Sequence, residues 1–548
     1  DAGYCVNTVE LDEKIFKNIA NVLRKGGKMS EAIEQGEGKP SEQNVIRKTT
    51  ANAAGAAGPG SPSSHRMAIE EKPWLPDAWD KETDVVIIGY GATGAVTAIT
   101  VSEAGGRAIV IEKAPETGGT SAVSTGGMRY TNDARQAAIY VKNIGLGTID
   151  EETAEVFAEE WVDLKPWMER HGIKLVKPIS YTKPFQNMGA PDMEMMFVES
   201  FEGYPLGCGR DLFAFLDDLV KRRGVEVMLN TPAKRLVQHP ATKEIMGVIA
   251  ESGGKKIAIK AKKAVVMTCG GFSANREMIG TYITHAPVEI HPTGTPYSTG
   301  DGIKMAIDVG ADLWHMNGIE YSTHAFKADE FPSAFWLQPK GQSWIHVNRS
   351  GRRFHGESGL NYGHTKKFVH IFDFIETPSW TTADWPNSPW YIIFDEKVKK
   401  AGPICLTERL SGASPFITYN SARELYAWSS DNQAEIDNHW IKNGAGVAEL
   451  ADQINVDPTG LQETITRYNG YCASGLDGDF KRDPESLVSI DTPPFYAIEC
   501  CMGIINTQGA PEEMQRVRYS VHMTGRPSPG FTVVENSAPY GRFFTPAE

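Results

Sequence analysis

Hydrophobic and polar positions along the chain follow two periods. Val85 to Ile88 is an uninterrupted apolar run, rich in β-branched residues, as expected of a strand buried on both faces. A glycine-rich turn follows, Ala95 to Ala104 suits a helix, and Ala108 to Ile111 is a second apolar run. This order predicts a βαβ unit. Further on, "VEVMLNTPAKRLV" and "IMGVIAESGGKKIAIKAKKAVV" alternate as antiparallel strands do, and "KKAVVMTCGGFSANREMIGTY" gives one more buried run ending in Gly270-Gly271. The pattern predicts a discontinuous α/β domain that resumes near Gly224 after an insertion. At the start of the chain, Val9, Leu11, Ile15, Phe16, Ile19, Val22 and Leu23 lie near helical spacing, and Gly26-Gly27 supplies a stop. Gly36 to Ser64 has the Gly/Ala/Pro/Ser composition of a tether. Residues 1–78 therefore read as an appendage.

Composition narrows the function class. Apolar residues make up 41% and charged residues 23% of 548, which is globular rather than disordered and long enough for two or three domains. Lys and Arg number 55 against 69 Asp and Glu, so the net charge is 55 − 69 = −14. That balance argues against nucleic acid or anionic lipid as a partner. The seven cysteines form no CxxC and no Cys/His cluster at metal-ligand spacing, so no metal is expected. No apolar run reaches the roughly 18 residues that span a bilayer. The reading is a soluble protein, cytoplasmic or exported, that starts at Asp1 without an evident signal segment.

The βαβ turn carries Gly89, Gly91 and Gly94 in G-x-G-x-x-G spacing, and the second strand ends in Glu112. The first glycine permits the turn, the second lets backbone approach a diphosphate, and the third lets helix and strand pack closely. Amides at Ala92 and Thr93 then face the phosphates, and Glu112 accepts from ribose hydroxyls. "ETGGTSAVSTGGMRY", Glu116 to Tyr130, follows with four glycines and five hydroxyl residues. A second loop of this kind suits a cofactor whose other half is a ribityl chain and an isoalloxazine ring, which favours FAD. Its contacts are expected at Gly119, Thr120, Ser121, Ser124, Gly126 and Gly127. That loop contains no histidine, so the FAD is expected to be non-covalent.

At this point the chain resembles the FAD-dependent reductases and dehydrogenases related to soluble fumarate reductase, urocanate reductase and 3-ketosteroid dehydrogenase. The resemblance is carried by "DVVIIGYGATGAVTA", "VVMTCGGFSANREMI", "HPTGTPYSTGDGIKMAIDVGADL", "VNRSGRRFHGES", "YIIFDEKVKKAG", "GLQETITRYNGYCASGLDGDFKRDPESL" and "PPFYAIECCMGIINTQGAPE". It implies a Rossmann-like FAD-binding domain of the GR2 type, discontinuous, with an inserted α+β substrate-capping domain. The boundaries expected are 79–300 and 499–548 for the FAD domain and 301–498 for the cap. It further implies cofactor contacts at Lys113, Ala233, Gly270, Gly271, Asp301 and Glu535, and a Gly-rich turn and helix beyond Glu548. The resemblance also implies that hydride would pass between flavin N5 and one carbon of a C=C conjugated to a carbonyl, while a side chain would exchange a proton with the other carbon.

The stretch "NRSGRRFHGESGLNYGHT" departs from the fumarate reductase pattern. Glu357 matches the glutamate of the family's proton relay, but Leu360 stands where an arginine is expected and Lys399 replaces another. Ile504 or Ile505 occupies the place of a substrate-binding histidine. Two carboxylates need cationic partners, so fumarate is a poor substrate candidate. An enone, an aryl-acrylate or a steroid-like molecule fits better. Tyr362 is the first candidate proton donor and Lys399 the second, since a desolvated lysine can release a proton near neutrality. His355, His364 and Arg353 are weaker candidates, Glu357 is the matched relay member, and His291 reads as a structural turn residue. The leading expectation is an ene-reductase served by an external electron donor. The alternatives are a 3-ketosteroid-type desaturase passing electrons to an acceptor, and a non-catalytic flavin electron-transfer subunit.

Overall fold

The computed structural model describes residues 75–144, 149, 151–177, 190, 192–201, 206–283, 290–314, 316–357, 387–405, 418–511 and 531–533. The helix expected at Val9–Lys25 and the Gly36–Ser64 tether lie outside them.

Strand β1 (Lys81–Ile88) runs into helix α1 (Ala92–Glu103) and returns as β2 (Ala108–Ile111), parallel to β1 with Val85 opposite Ala108. This is the predicted βαβ unit. Helix α1 is small-residue rich, and nine of its twelve residues are buried, because it is covered on both sides. Helix α2 (Gly209–Arg222) leads into β3 (Glu226–Met228), then β4 (Ala233–Gln238), β5 (Ile245–Ser252) and β6 (Lys255–Met267). The first sheet has the order β3-β2-β1-β6-β5-β4. β6 lies parallel to β1, while β4, β5 and β6 form an antiparallel meander. β3 corrects the sequence expectation. It pairs parallel with β2, from Ile109 opposite Glu226, because α2 carries the chain back to the same end of the sheet before it starts. The late strand Phe531–Val533 also joins this sheet, parallel to the last residues of β6.

Alternation along β1 splits the core in two. Val85 and Ile87 face α1, α2 and the helices Ala134–Ile144 and Glu151–Trp161. Val86 and Ile88 face the meander side, together with Met305, Ala306 and Val309. Met305 and Ala306 belong to α3 (Asp301–Asp308). That helix packs into the core of the first sheet, so the boundary expected at residue 300 falls too early.

A second sheet is built from β7 (Ile319–Phe326), β8 (Phe335–Trp336), β9 (Trp344–Asn348), β10 (Trp390–Asp395), β11 (Ile441–Gly444) and β12 (Phe495–Thr507). Helix α4 (Glu396–Ala401) follows β10, and helix α5 (Pro458–Ser474) precedes β12. The order is β8-β7-β12-β10-β9, with β11 and the short strand Ile290–Pro292 also paired to β12. The early residues of β12 pair with β10 and β11, and its later residues with β7 and Ile290–Pro292. The expected boundary at 498/499 therefore cuts one continuous strand. β12 ends at Thr507, and the Thr507 hydroxyl accepts from the amide of Phe272 at 3.0 Å. This contact joins the end of the second sheet to the glycine pair that follows β6.

Candidate functional site

The turn after β1 is shaped by close backbone approaches. Gly89 has φ +104°, and a Cβ on it would lie 2.3 Å from the carbonyl oxygen of Thr268. A Cβ on Gly94 would lie 2.1 Å from the carbonyl oxygen of Gly89. Both positions exclude a side chain on space alone, and Gly89 on conformation as well. Gly91 is the N-cap of α1, which has neither a side-chain cap nor an acid in its first turn. The start of this helix thus presents backbone amides and a positive dipole end to one mouth of a cleft.

The Gly/Ser loop is stitched to this turn. Gly118 N donates to Tyr90 O at 2.9 Å, and Ala92 N donates to Ser121 Oγ at 3.2 Å. Gly89, Gly91, Thr93, Gly119, Thr120 and Ser121 line the cleft. Ala92 and Gly94 are not among its lining residues. Ser124, Gly126 and Gly127 are not among its lining residues either. The Ser124 hydroxyl donates to Ser121 O at 2.8 Å, and a Cβ on Gly126 would meet Cys208 at 2.4 Å. Their small size lets the start of α2 press against the loop.

Further along, the cleft is lined by Glu112, Lys113, Ala233, Gly270, Gly271 and Asp301. Glu112 already accepts from Tyr90 N at 2.7 Å and from Ala114 N at 2.8 Å. One lone pair on each oxygen remains for a ribose hydroxyl. Lys113 and Asp301 are 2.7 Å apart as an ion pair, which brings together two expected cofactor residues 188 positions apart. Sequence reasoning missed Thr268, Cys269, Ser273, Thr295, Tyr297, Ser298, Asn506 and Thr507, which also line the cleft. The hydroxyl-rich "TGTPYSTGD" was the available signal, since it has the same Gly/Ser/Thr character as the loop at Glu116. Including its open mouth, the cleft encloses about 990 Å³. Glu535 and Tyr362 lie outside the described residues, as does His364.

Glu357, the matched relay residue, and Arg353, a weaker donor candidate, meet away from the cleft, under α5. Arg353 grips Glu357 with Nε at 3.0 Å and Nη2 at 2.6 Å, and also reaches Asp477 at 3.0 Å. Arg482 adds a second guanidinium 3.4 Å from Glu357. All four side chains are at most 4% exposed. Burial disfavours the charge on Arg353, but hydrogen bonds and attraction from Glu357 and Asp477 outweigh it and hold its pKa above the ordinary value. Where Leu360 breaks the sequence pattern, Arg482 supplies an arginine beside Glu357 from 125 residues away. Lys399 is on the last turn of α4, half-buried, and is not among the cleft-lining residues.

Three histidines adjoin this network. His346 N donates to Glu357 Oε1 at 3.1 Å, and His346 Nδ1 lies 2.6 Å from His355 Nε2. The His324 ring is 4.7 Å from that of His346. Burial, then the charge of His355, pushes His324 down to about 3. Burial also lowers His355 to about 4 and holds His346 well below its ordinary value. All three are neutral at pH 7.

A helix start with open amides, a ribose-facing carboxylate and a second Gly/Ser wall along one cleft define a dinucleotide-binding oxidoreductase, and this donor set fits FAD. Residues 84–509 match the family described as FAD binding domain, and the chain belongs to that family. FAD is its cofactor. The chain is 23% identical over 469 residues to a probable fumarate reductase of Shewanella frigidimarina, covering 81% of this chain and 70% of that protein. It is 22% identical to the vinyl phenol reductase of Lactiplantibacillus plantarum, covering 83% of this chain and 90% of the other. Among solved structures, the 3-ketosteroid Δ1-dehydrogenase of Sterolibacterium denitrificans superposes with a TM-score of 0.65 at 21% identity, covering 83% and 93% of the two chains. At that identity the likeness shows the fold.

Two predictions follow from the buried network. Glu357→Ala leaves two guanidiniums buried without their shared acid and should cost about 3–5 kcal/mol of stability. Chemical denaturation of the holoenzyme measures it, and a loss under about 1 kcal/mol would contradict the account. The second concerns pH. The unfolded histidines titrate near ~6.5, while the folded rings of His324 and His355 titrate at about 3 and about 4. Between these values the unfolded chain binds more protons, so stability falls as pH drops from 6.5 towards 4. His324→Asn should flatten that slope, and an unchanged slope in unfolding free energy against pH would refute the assignment.

Proposed function

We propose that this FAD-dependent oxidoreductase of CH–CH bonds is an ene-reductase that saturates a C=C conjugated to a carbonyl, on a substrate other than fumarate. The observation carrying this reading is that one cleft runs from the amides of α1 to Asn506 and Thr507 at the end of β12. A cofactor laid from the phosphate end would bring its ring towards the second sheet, where a substrate can meet it. When bound, FAD supplies the hydride chemistry.

The chain's own residues hold and polarise the substrate and deliver the proton. Gly89, Gly91, Thr93 and the Gly119–Ser121 segment, which line the cleft, would hold the cofactor's diphosphate and ribityl portions, and Glu112 would hold its ribose. Lys113 and Asp301 line the cleft as an ion pair. Tyr362 is the first candidate proton donor, with Lys399 second, and Arg353 and Glu357 act in proton supply or as the frame that orients the donor. The chain's donor would give a proton to one carbon, and saturation of the C=C would draw two electrons that an external donor must supply. The relatives support a CH–CH reaction but differ in substrate, and Ile504, fully buried, supplies no charge for a dicarboxylate.

Anaerobic stopped-flow mixing of photoreduced enzyme with a panel of enones, aryl-acrylates and fumarate tests the reading. Reoxidation by an enone, with little reoxidation by fumarate and no bleaching of oxidised enzyme by the saturated ketone, is the expected outcome. Bleaching by a saturated 3-ketosteroid would favour the desaturase instead. Reduction of the flavin with no reoxidation by any acceptor in the panel would point to an electron-transfer subunit.

A further inference from the structure

Two stretches far apart in sequence meet along the cofactor cleft. One carries Gly119, Thr120 and Ser121, and the other Thr295, Tyr297 and Ser298. They touch at Gly294, where a Cβ would lie 3.4 Å from Thr120 Cγ2. A third segment, outside the cleft lining, ties the roots of both. Tyr419, on the short helix Tyr419–Ala422, donates its backbone amide to Thr293 O at 3.0 Å and its phenol to Glu116 Oε1 at 2.7 Å. One buried residue thus grips the chain two positions before Thr295 and three before Gly119. Burial, then the bond to Glu116, raises the Tyr419 pKa, so the phenol keeps the proton it donates. Its neighbours reinforce the grip. Arg423 Nη2 donates to Thr117 O at 2.8 Å, and its Nε lies 3.1 Å from Glu116 Oε1 as an ion pair rather than an aligned hydrogen bond. Asn420 Nδ2 donates to Ser333 O at 2.6 Å, and the Ser333 hydroxyl donates to Gly294 O at 2.8 Å.

We propose that Tyr419 is a staple across this seam, and that breaking its bond to Glu116 is the step that lets FAD enter and leave the cleft. A cofactor whose ribityl part lies along Gly119–Ser121 is covered where the two stretches touch, and it passes only when they separate. The backbone bond to Thr293 stays with one stretch, so the phenol–carboxylate bond is the part that opens. Hydrogen bonds to an ionised acceptor are the stronger kind, which suits a closure that must hold between exchanges. Opening precedes both entry and exit. Weakening a staple made equally with and without cofactor therefore raises both rates by one factor and leaves their ratio, the dissociation constant, where it was. A contact that merely supports the loaded form would raise release and weaken affinity together. The inference concerns the cofactor alone and holds whichever way the CH–CH reaction runs.

The test times FAD exchange in wild type, Tyr419→Phe, Glu116→Gln and the double variant. Release is followed as holoenzyme trades its bound FAD for excess isotopically labelled FAD, and entry by stopped-flow quenching of FAD fluorescence on mixing with apoprotein. Tyr419→Phe removes only the hydroxyl and keeps the ring that Arg423 lies over at 6.0 Å. Both rates should rise by about tenfold in this variant, as expected for losing one hydrogen bond to a charged group. The dissociation constant should stay within about threefold of wild type. Glu116→Gln should shift both rates in the same direction, and the double variant should be no faster than the faster single one, because the two residues share one bond. If Tyr419→Phe does not fold, Glu116→Gln carries the comparison. Rates within about twofold of wild type in the variants, faster release matched by an equal loss of affinity, or additive effects in the double variant would each overturn the proposal.

Discussion

The close packing of β1, α1 and β6 at their shared end governs the geometry of the whole cleft. Gly94 sits so near the carbonyl of Gly89, and Gly89 so near that of Thr268, that a single methyl group at either glycine would force them apart. Thr268 locks the arrangement from the other side, its hydroxyl donating to Gly89 O at 2.8 Å and to Ile88 O at 3.0 Å. Because the helix start, the strand end and the β6 exit converge within this contact, the amides of α1 and Gly270-Gly271 face one common space. Everything proposed about cofactor and substrate assumes that convergence.

From there the second sheet follows by connection. Gly271 leaves room for Thr507, whose hydroxyl would lie 2.0 Å from a Cβ at residue 271. That contact anchors the end of β12, and β12 in turn pairs with strands on both of its edges. The loop at Glu116 is held to the far side by Tyr419 Oη donating to Glu116 at 2.7 Å and by Arg423 donating to Thr117 O at 2.8 Å. The buried arginine and carboxylate network lies deeper, with Arg353 over the ring of Tyr468 at 5.0 Å. Its charges are mutually satisfied, which suits a rigid internal frame.

Much of this was legible in the residues, and the limits have physical causes. The βαβ unit was readable because its apolar runs, glycine spacing and terminal acid are all local. The parallel direction of β3 was not, since alternation reports burial and says nothing of the partner strand's direction. Gly126 has the composition expected of a cofactor contact and also gives room to the start of α2, because a small residue suits either close neighbour. The ion pairs Lys113–Asp301 and Glu357–Arg482 join residues far apart in the chain. No local pattern announces such pairs.

The most direct measurement is the visible spectrum and flavin stoichiometry of the purified protein, before and after acid precipitation. The account predicts a yellow protein holding one FAD per chain, with the flavin recovered in the supernatant after precipitation. A colourless protein that takes up no FAD on reconstitution would contradict it.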